Sequence, residues 1–113
     1  MKTIRTITED ALVSINISPD LNGFVYICDA VDIVVNDGRI PTVGLYSRIA
    51  EKNDTTPSRV ERSIRHAFEN AYKSAVLEDI HKWIGAYEKP TNSSSIYTLA
   101  IKVRRELENE NNA

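Results

Sequence analysis

The stretch Ile49-Ala50-Glu51-Lys52-Asn53-Asp54-Thr55-Thr56-Pro57-Ser58-Arg59-Val60-Glu61-Arg62-Ser63-Ile64-Arg65-His66-Ala67 decides how the chain folds. Thr56 followed by Pro57 is a helix start. A threonine hydroxyl accepts from the free N–H groups of the first turn, and proline at the first helical position lacks only an N–H that has no intrahelical partner anyway. The helix opened there runs to about Ser74. Upstream, Leu45, Tyr46, Ile49 and Ala50 recur at helical spacing and predict a helix over Val43 to Lys52, ending at Asn53-Asp54. Two helices joined by a short Asn-Asp-Thr turn, with Ala50 ten residues before Val60, make a helix-turn-helix layout. The small Ala50 lets the second helix cross closely, and Ile49, Val60 and Ile64 seal the crossing.

Projected at about 100° per residue, the helix after Thr56 separates into two faces. Val60, Ile64, Ala67, Phe68 and Ala71 share one arc. Arg59, Arg62, Arg65, His66 and Glu69 occupy the other side, with Glu61 on a border. A charged helix face is ordinarily just solvated. Here the preceding helix props this one outward, so its N-terminal residues can enter the major groove of DNA. Arginine's planar fork fits guanine O6 and N7, a glutamate accepts from cytosine N4, and neighbouring polar groups hold phosphates. Ser58, Arg59, Glu61, Arg62, Arg65 and His66 supply that set. Glu61 would repel a duplex on a purely phosphate-gripping surface, so it either reads a base or pairs with Arg65 one turn on.

Working outward, four more helices are predicted. The first runs from Glu9 to Ile17, with Thr8 as its cap. The second, Gly23 to Val35, places Phe24, Ile27, Cys28, Val31, Val34 and Val35 at helical spacing and leaves Asp29, Asp32 and Asn36 on a polar edge. So wide an apolar surface implies a central position in the core. Val76 to Ile84 forms the fifth, stopped by Gly85. The sixth runs from Asn92 to about Glu108, with Ile96, Leu99, Ala100, Val103 and Leu107 on one stripe. Ser93, Ser94 and Ser95 are read as caps at its entrance, and the tail over 109–113 as frayed. The expectation is a single domain over 1–113, all-α, with six helices.

At 42% apolar and 27% charged, with four glycines and four prolines, the 113 residues are an ordinary globular mix for one domain. Phe24 to Val35 is interrupted by Asp29 and Asp32 and is too short for the roughly 20 residues of a membrane helix. No secretory signal follows Met1-Lys2-Thr3-Ile4-Arg5-Thr6, which points to the cytoplasm. The lone Cys28 reads as a buried apolar side chain in a reducing compartment. Charge is segregated beneath the total of -2: residues 1–55 carry five basic and eight acidic side chains, 56–105 carry nine and five, and 106–113 carry three glutamates. The basic segment is the anion-binding candidate, and contact with nucleic acid must be local.

His66 and His81 lack a metal-ligand spacing, so no metal is expected. The pairs Asp29/Asp32 and Glu78/Asp79 read as solvated helix edges, and no nucleophile elbow or glycine-rich loop accompanies them. No enzyme and no cofactor are expected. Trp83 is assigned to the core and His81 to the surface.

The run from Ile49 to Ala67 closely resembles the DNA-reading unit of the C-terminal effector domain of the stage-zero sporulation response regulator. The likeness extends to Gly23-Phe24-Val25-Tyr26, Val35-Asn36-Asp37 and Lys89-Pro90-Thr91-Asn92, and so over nearly the whole chain. It implies an all-helical, six-helix fold in the winged-helix-like superfamily without a clear wing. It also implies sequence-specific binding to short double-stranded DNA boxes near promoters, often as tandem head-to-tail copies, with activation or repression of transcription. By resemblance, Arg59, Glu61 and Arg62 read bases, Ser58, Arg65 and His66 hold the backbone or flank the reading, and Lys89 reaches DNA from outside the helix-turn-helix. The sixth helix contributes to contact between neighbouring copies, as in a homodimer on tandem sites.

Three departures from the family pattern carry expectations. Relatives usually have an N-terminal receiver domain, for which a chain starting at Met1 has no room. Asn53 replaces an apolar residue at the end of the third helix, which predicts a looser turn. Lys73 to Glu88, the region relatives use to touch the sigma subunit of RNA polymerase, diverges. The competing expectation is therefore a receiver-less interaction module that pairs with a full-length regulator or a sigma factor without stable DNA binding of its own.

Overall fold

In the computed structural model, which describes residues 2–112, the backbone forms α1 (Ile4–Ser14), α2 (Asn22–Asp37), α3 (Thr42–Lys52), α4 (Pro57–Ser74), α5 (Leu77–Ile84) and α6 (Asn92–Asn111). The fold is all-α, as the apolar periodicity predicts, and the described residues contain no strand. Met1 and Ala113, the ends of the predicted single domain, lie outside the described residues.

Helix α2 is the axis of the core and packs against α1, α3, α4 and α6. Phe24, Ile27, Cys28 and Val31 are buried, while Val34 and Val35 are only half-buried because the far end of α2 emerges from the bundle. Burial pushes the Cys28 thiol up to about 12, so it behaves as a small apolar side chain. Trp83 is in the core and His81 is exposed, stacked on Tyr87 at 4.4 Å between ring centroids.

Helix α1 begins five residues before the predicted Glu9, and its cap is Thr3. The Thr3 hydroxyl accepts from the Thr6 N–H at 3.1 Å, and the Thr6 hydroxyl accepts from the Thr3 N–H at 2.9 Å. Thr8, the predicted cap, is buried and donates to the Ile4 carbonyl. The apolar stripe Ile4, Ile7, Ala11 extends upstream of Thr8, and burying it carries the helix back to Thr3. At its other end α1 stops at Ser14, because Asn16 turns left-handed at φ 66° and the Ile17 N–H reaches back to the Leu12 carbonyl, a Schellman closure. Ile15 and Ile17 are buried outside the helix.

At α6 the cap is Thr91, which accepts from the Ser94 N–H at 3.1 Å, and not the serine run. Ser95 is buried and donates to the Thr91 carbonyl. The helix continues to Asn111, past the predicted fraying point, and Lys2 pairs with Glu110 at 3.3 Å.

Helices α2 and α4 approach closely at Gly23. A Cβ built on Gly23 would collide with the Ser63 carbonyl oxygen and lie 2.9 Å from the Ala67 Cβ. Only a residue without a side chain permits this crossing. Gly23→Ala should therefore push α4 away from α2 and cost about 1–3 kcal/mol, as overpacking does. Urea unfolding checks this, with a lowered midpoint and an unchanged slope expected.

Candidate nucleic-acid interface

The turn between α3 and α4 is built from Asn53, Asp54 and Thr55. Asp54 takes the left-handed conformation at φ 54°, and the Thr55 N–H bonds the Ala50 carbonyl at 2.9 Å, so α3 closes with the same Schellman geometry as α1. Aspartate tolerates that conformation better than a branched side chain would. Thr56 then caps α4, accepting from the Arg59 N–H at 3.3 Å. Behind the turn Ile49, Ala50, Val60 and Ile64 are buried, as the crossing argument requires.

Asn53 tightens this turn, contrary to the looseness predicted for a polar residue there. Its Nδ2 donates to the Ile49 carbonyl and to Asp29 Oδ2, both at 2.8 Å. Asp29 is 1% exposed and not on a solvated edge. Its Oδ1 accepts from Arg5 at 2.8 Å and from Lys52 at 3.0 Å, and Arg5 also reaches Asp32 at 3.1 Å. Desolvation favours the protonated acid, but the hydrogen bonds from Asn53, Arg5 and Lys52 outweigh it and hold the Asp29 carboxyl below its ordinary value. One carboxylate thus ties α1, α2 and the end of α3 together. Burial was not readable from the helix wheel because the three donors come from positions 5, 52 and 53.

On α4, Val60, Ile64, Ala67 and Phe68 are buried, while Ser58, Arg59, Arg62 and His66 are exposed and Glu61 and Arg65 half-exposed. The structure divides the predicted set between two sides of the helix. Ser58, Glu61, Arg62 and Arg65 line one groove with Val43 and Tyr46 of α3. Lys89 lines the continuation of that groove with Glu61, Arg65 and the start of α6. His66 lies on the other side, in a hollow with Asn22 and Gly23 at the start of α2. Glu61 accepts from Arg65 Nε at 3.0 Å, and Glu69 lies 3.8 Å from the same guanidinium. Of the two roles left open for Glu61, the structure displays the pairing. Among the described residues Arg59 and Arg62 have no carboxylate partner.

Beneath the groove, Asn92 donates to the Tyr46 hydroxyl at 3.3 Å and to the Glu61 carbonyl at 3.2 Å. Burial holds the Tyr46 phenol above its ordinary value, with the Asn92 bond opposing. Tyr46 reads from the sequence as an inward residue, but its hydrogen bond to position 92 has no local signature.

A sequence model of the family described as "Sporulation initiation factor Spo0A C terminal" matches residues 8–103. The chain belongs to that family. Its Spo0A C-terminal membership makes it a DNA-binding effector domain of a sporulation regulator, acting in transcription. The match spans the helix-turn-helix, the Lys89 segment and most of α6, so every residue of the candidate surface falls inside the Spo0A C-terminal region. No helix of the structure is long and apolar enough to cross a membrane.

The sign of the Asp29 effect sets a pH prediction. Its folded-state pKa is depressed, so its contribution is present above the ordinary carboxylate value and is lost as pH falls through the folded one. Asp29→Asn should cost about 1–2 kcal/mol at neutral pH, discounted because Arg5 and Lys52 keep access to water. Thermal unfolding across pH should show the variant and parent converging below about pH 4.

Proposed function

We propose that the chain reads short promoter boxes by placing the N-terminal half of α4 in the major groove. The observation that carries this reading is the contrast along one helix: its apolar face is sealed in the core while Arg59 and Arg62, at the exposed end, have no carboxylate partner among the described residues. A guanidinium without an internal partner can donate to guanine O6 and N7 without first breaking an ion pair. Arg59 and Arg62 are the base readers, with Glu61 accepting from cytosine N4 if it exchanges Arg65 for a base.

Ser58, Arg65 and Lys89, on the groove side, and His66, on the other side of α4, hold phosphates and set the register of the helix. Assembly of copies on tandem boxes and contact with the sigma subunit of RNA polymerase belong to the same reading, in the cytoplasm, where promoters are.

Selection of duplexes from a random pool, followed by binding titrations over a salt series, tests it. Affinity should fall with salt at a slope of about -0.9 per phosphate neutralised. Arg62→Ala should lose about 1–3 kcal/mol of discrimination at one base pair, while Arg65→Ala should weaken all duplexes alike. Unchanged affinity in both variants rejects the reading. A mobility shift that appears only when a full-length relative is added would support an interaction module instead.

A further inference from the structure

Asn92 stands at the first position of α6 and is 8% exposed. Its Nδ2 joins three helices at one point, donating to the hydroxyl of Tyr46 on α3 and to the backbone carbonyl of Glu61 on α4. Both bonds are long, one at the upper limit of the usual range and one just beyond it. Its Oδ1 is buried and has no hydrogen-bond partner among the described residues.

A buried polar group with one satisfied end and one orphaned end adds little to stability, because the desolvation of the orphan offsets what the long bonds return. An apolar side chain of the same size would fill the space without that penalty. What the amide adds is direction: it places the start of α6 at a set distance from Glu61, and Glu61 is on the DNA-facing helix.

Lys89 is three residues before Asn92, joined to it through Pro90, whose ring restricts the backbone, and Thr91, which caps α6. Lys89 also lines the same groove as Glu61 and Arg65. The Lys89 ammonium donates to the Pro90 carbonyl at 3.4 Å, within the segment that leads to Asn92, so its place beside α4 follows where that segment is held.

We propose that Asn92 is a positioning residue that fixes Lys89 against α4, so that the lysine and the helix grip DNA as one unit. The inference rests on the reading that α4 and Lys89 face DNA.

The test uses the full chain, a duplex selected by the unmodified protein, and four proteins: parent, Lys89→Ala, Asn92→Leu and the double variant. Each is titrated over a salt series well below its own melting temperature. Asn92→Leu should leave the melting temperature unchanged or raised, yet reduce affinity about as much as Lys89→Ala and lower the salt slope by about 0.9. The double variant should bind no worse than either single one. A merely structural asparagine would move the melting temperature and leave the slope alone.

Parent-like affinity and slope in Asn92→Leu, or losses that add in the double variant, would overturn the proposal. If Asn92→Leu does not fold, Tyr46→Phe removes one acceptor of the anchor and keeps the ring. Its loss should likewise fail to add to that of Lys89→Ala, and additivity there would overturn the proposal too. A Lys89→Ala protein indistinguishable from the parent would overturn it together with the lysine's role, while the reading of α4 would still stand or fall on Arg62 and Arg65.

Discussion

The constraint on which the rest of the structure depends is the buried carboxylate of Asp29. A charge taken out of water is costly unless its lone pairs are filled, and here three donors from three places in the chain fill them. Arg5 brings α1, Lys52 brings the last turn of α3, and Asn53 brings the turn that leads into α4. None of the three bonds need be strong for the arrangement to be specific. Any packing that draws α1 or the α3 end away from α2 leaves the Asp29 charge without a donor, which disfavours that packing.

With the turn held from behind, α4 is fixed on its other sides by contacts of different kinds. Against α2 the limit is steric, set by Gly23 beneath the Ser63 carbonyl. Along its length the limit is apolar, with Val60, Ile64, Ala67 and Phe68 filling the core. At the groove the limit is polar, through Asn92 and Tyr46. A helix fixed in this way can leave its outer cations uncommitted without losing its place, and a rigid platform keeps low the ordering cost that binding must otherwise meet.

The cations on that outer side divide into two kinds. Arg65 is held between Glu61 and Glu69, so its fork is already oriented along the helix. Among the described residues Arg59 and Arg62 have no such partner, so no ion pair fixes their rotamers. The first kind suits a contact that is the same on every duplex, the second a contact that must be found base by base. Glu61 connects the two: its side chain pairs with Arg65 while its backbone carbonyl receives Asn92.

Where a signal is local, the chain alone determined the outcome. Thr56-Pro57 set the start of α4, the stripe from Val60 to Ala71 set its inner face, and the resemblance around Ile49 to Ala67 pointed to the family, because capping and periodicity involve residues within a turn or two of one another. Local signals misled where a neighbouring residue offered the same cap. Thr8 lost its cap to Thr3 because an apolar stripe extended upstream, and Ser93 to Ser95 lost theirs to Thr91. Only the tertiary structure decided that Asp29 is buried, that Asn53 tightens the turn, that His66 shares a hollow with Asn22 and Gly23, and that Asn92 reaches Glu61. Each of these depends on groups more than twenty residues apart along the backbone. Whether a polar group meets water or a donor is fixed by packing, which no helix wheel contains.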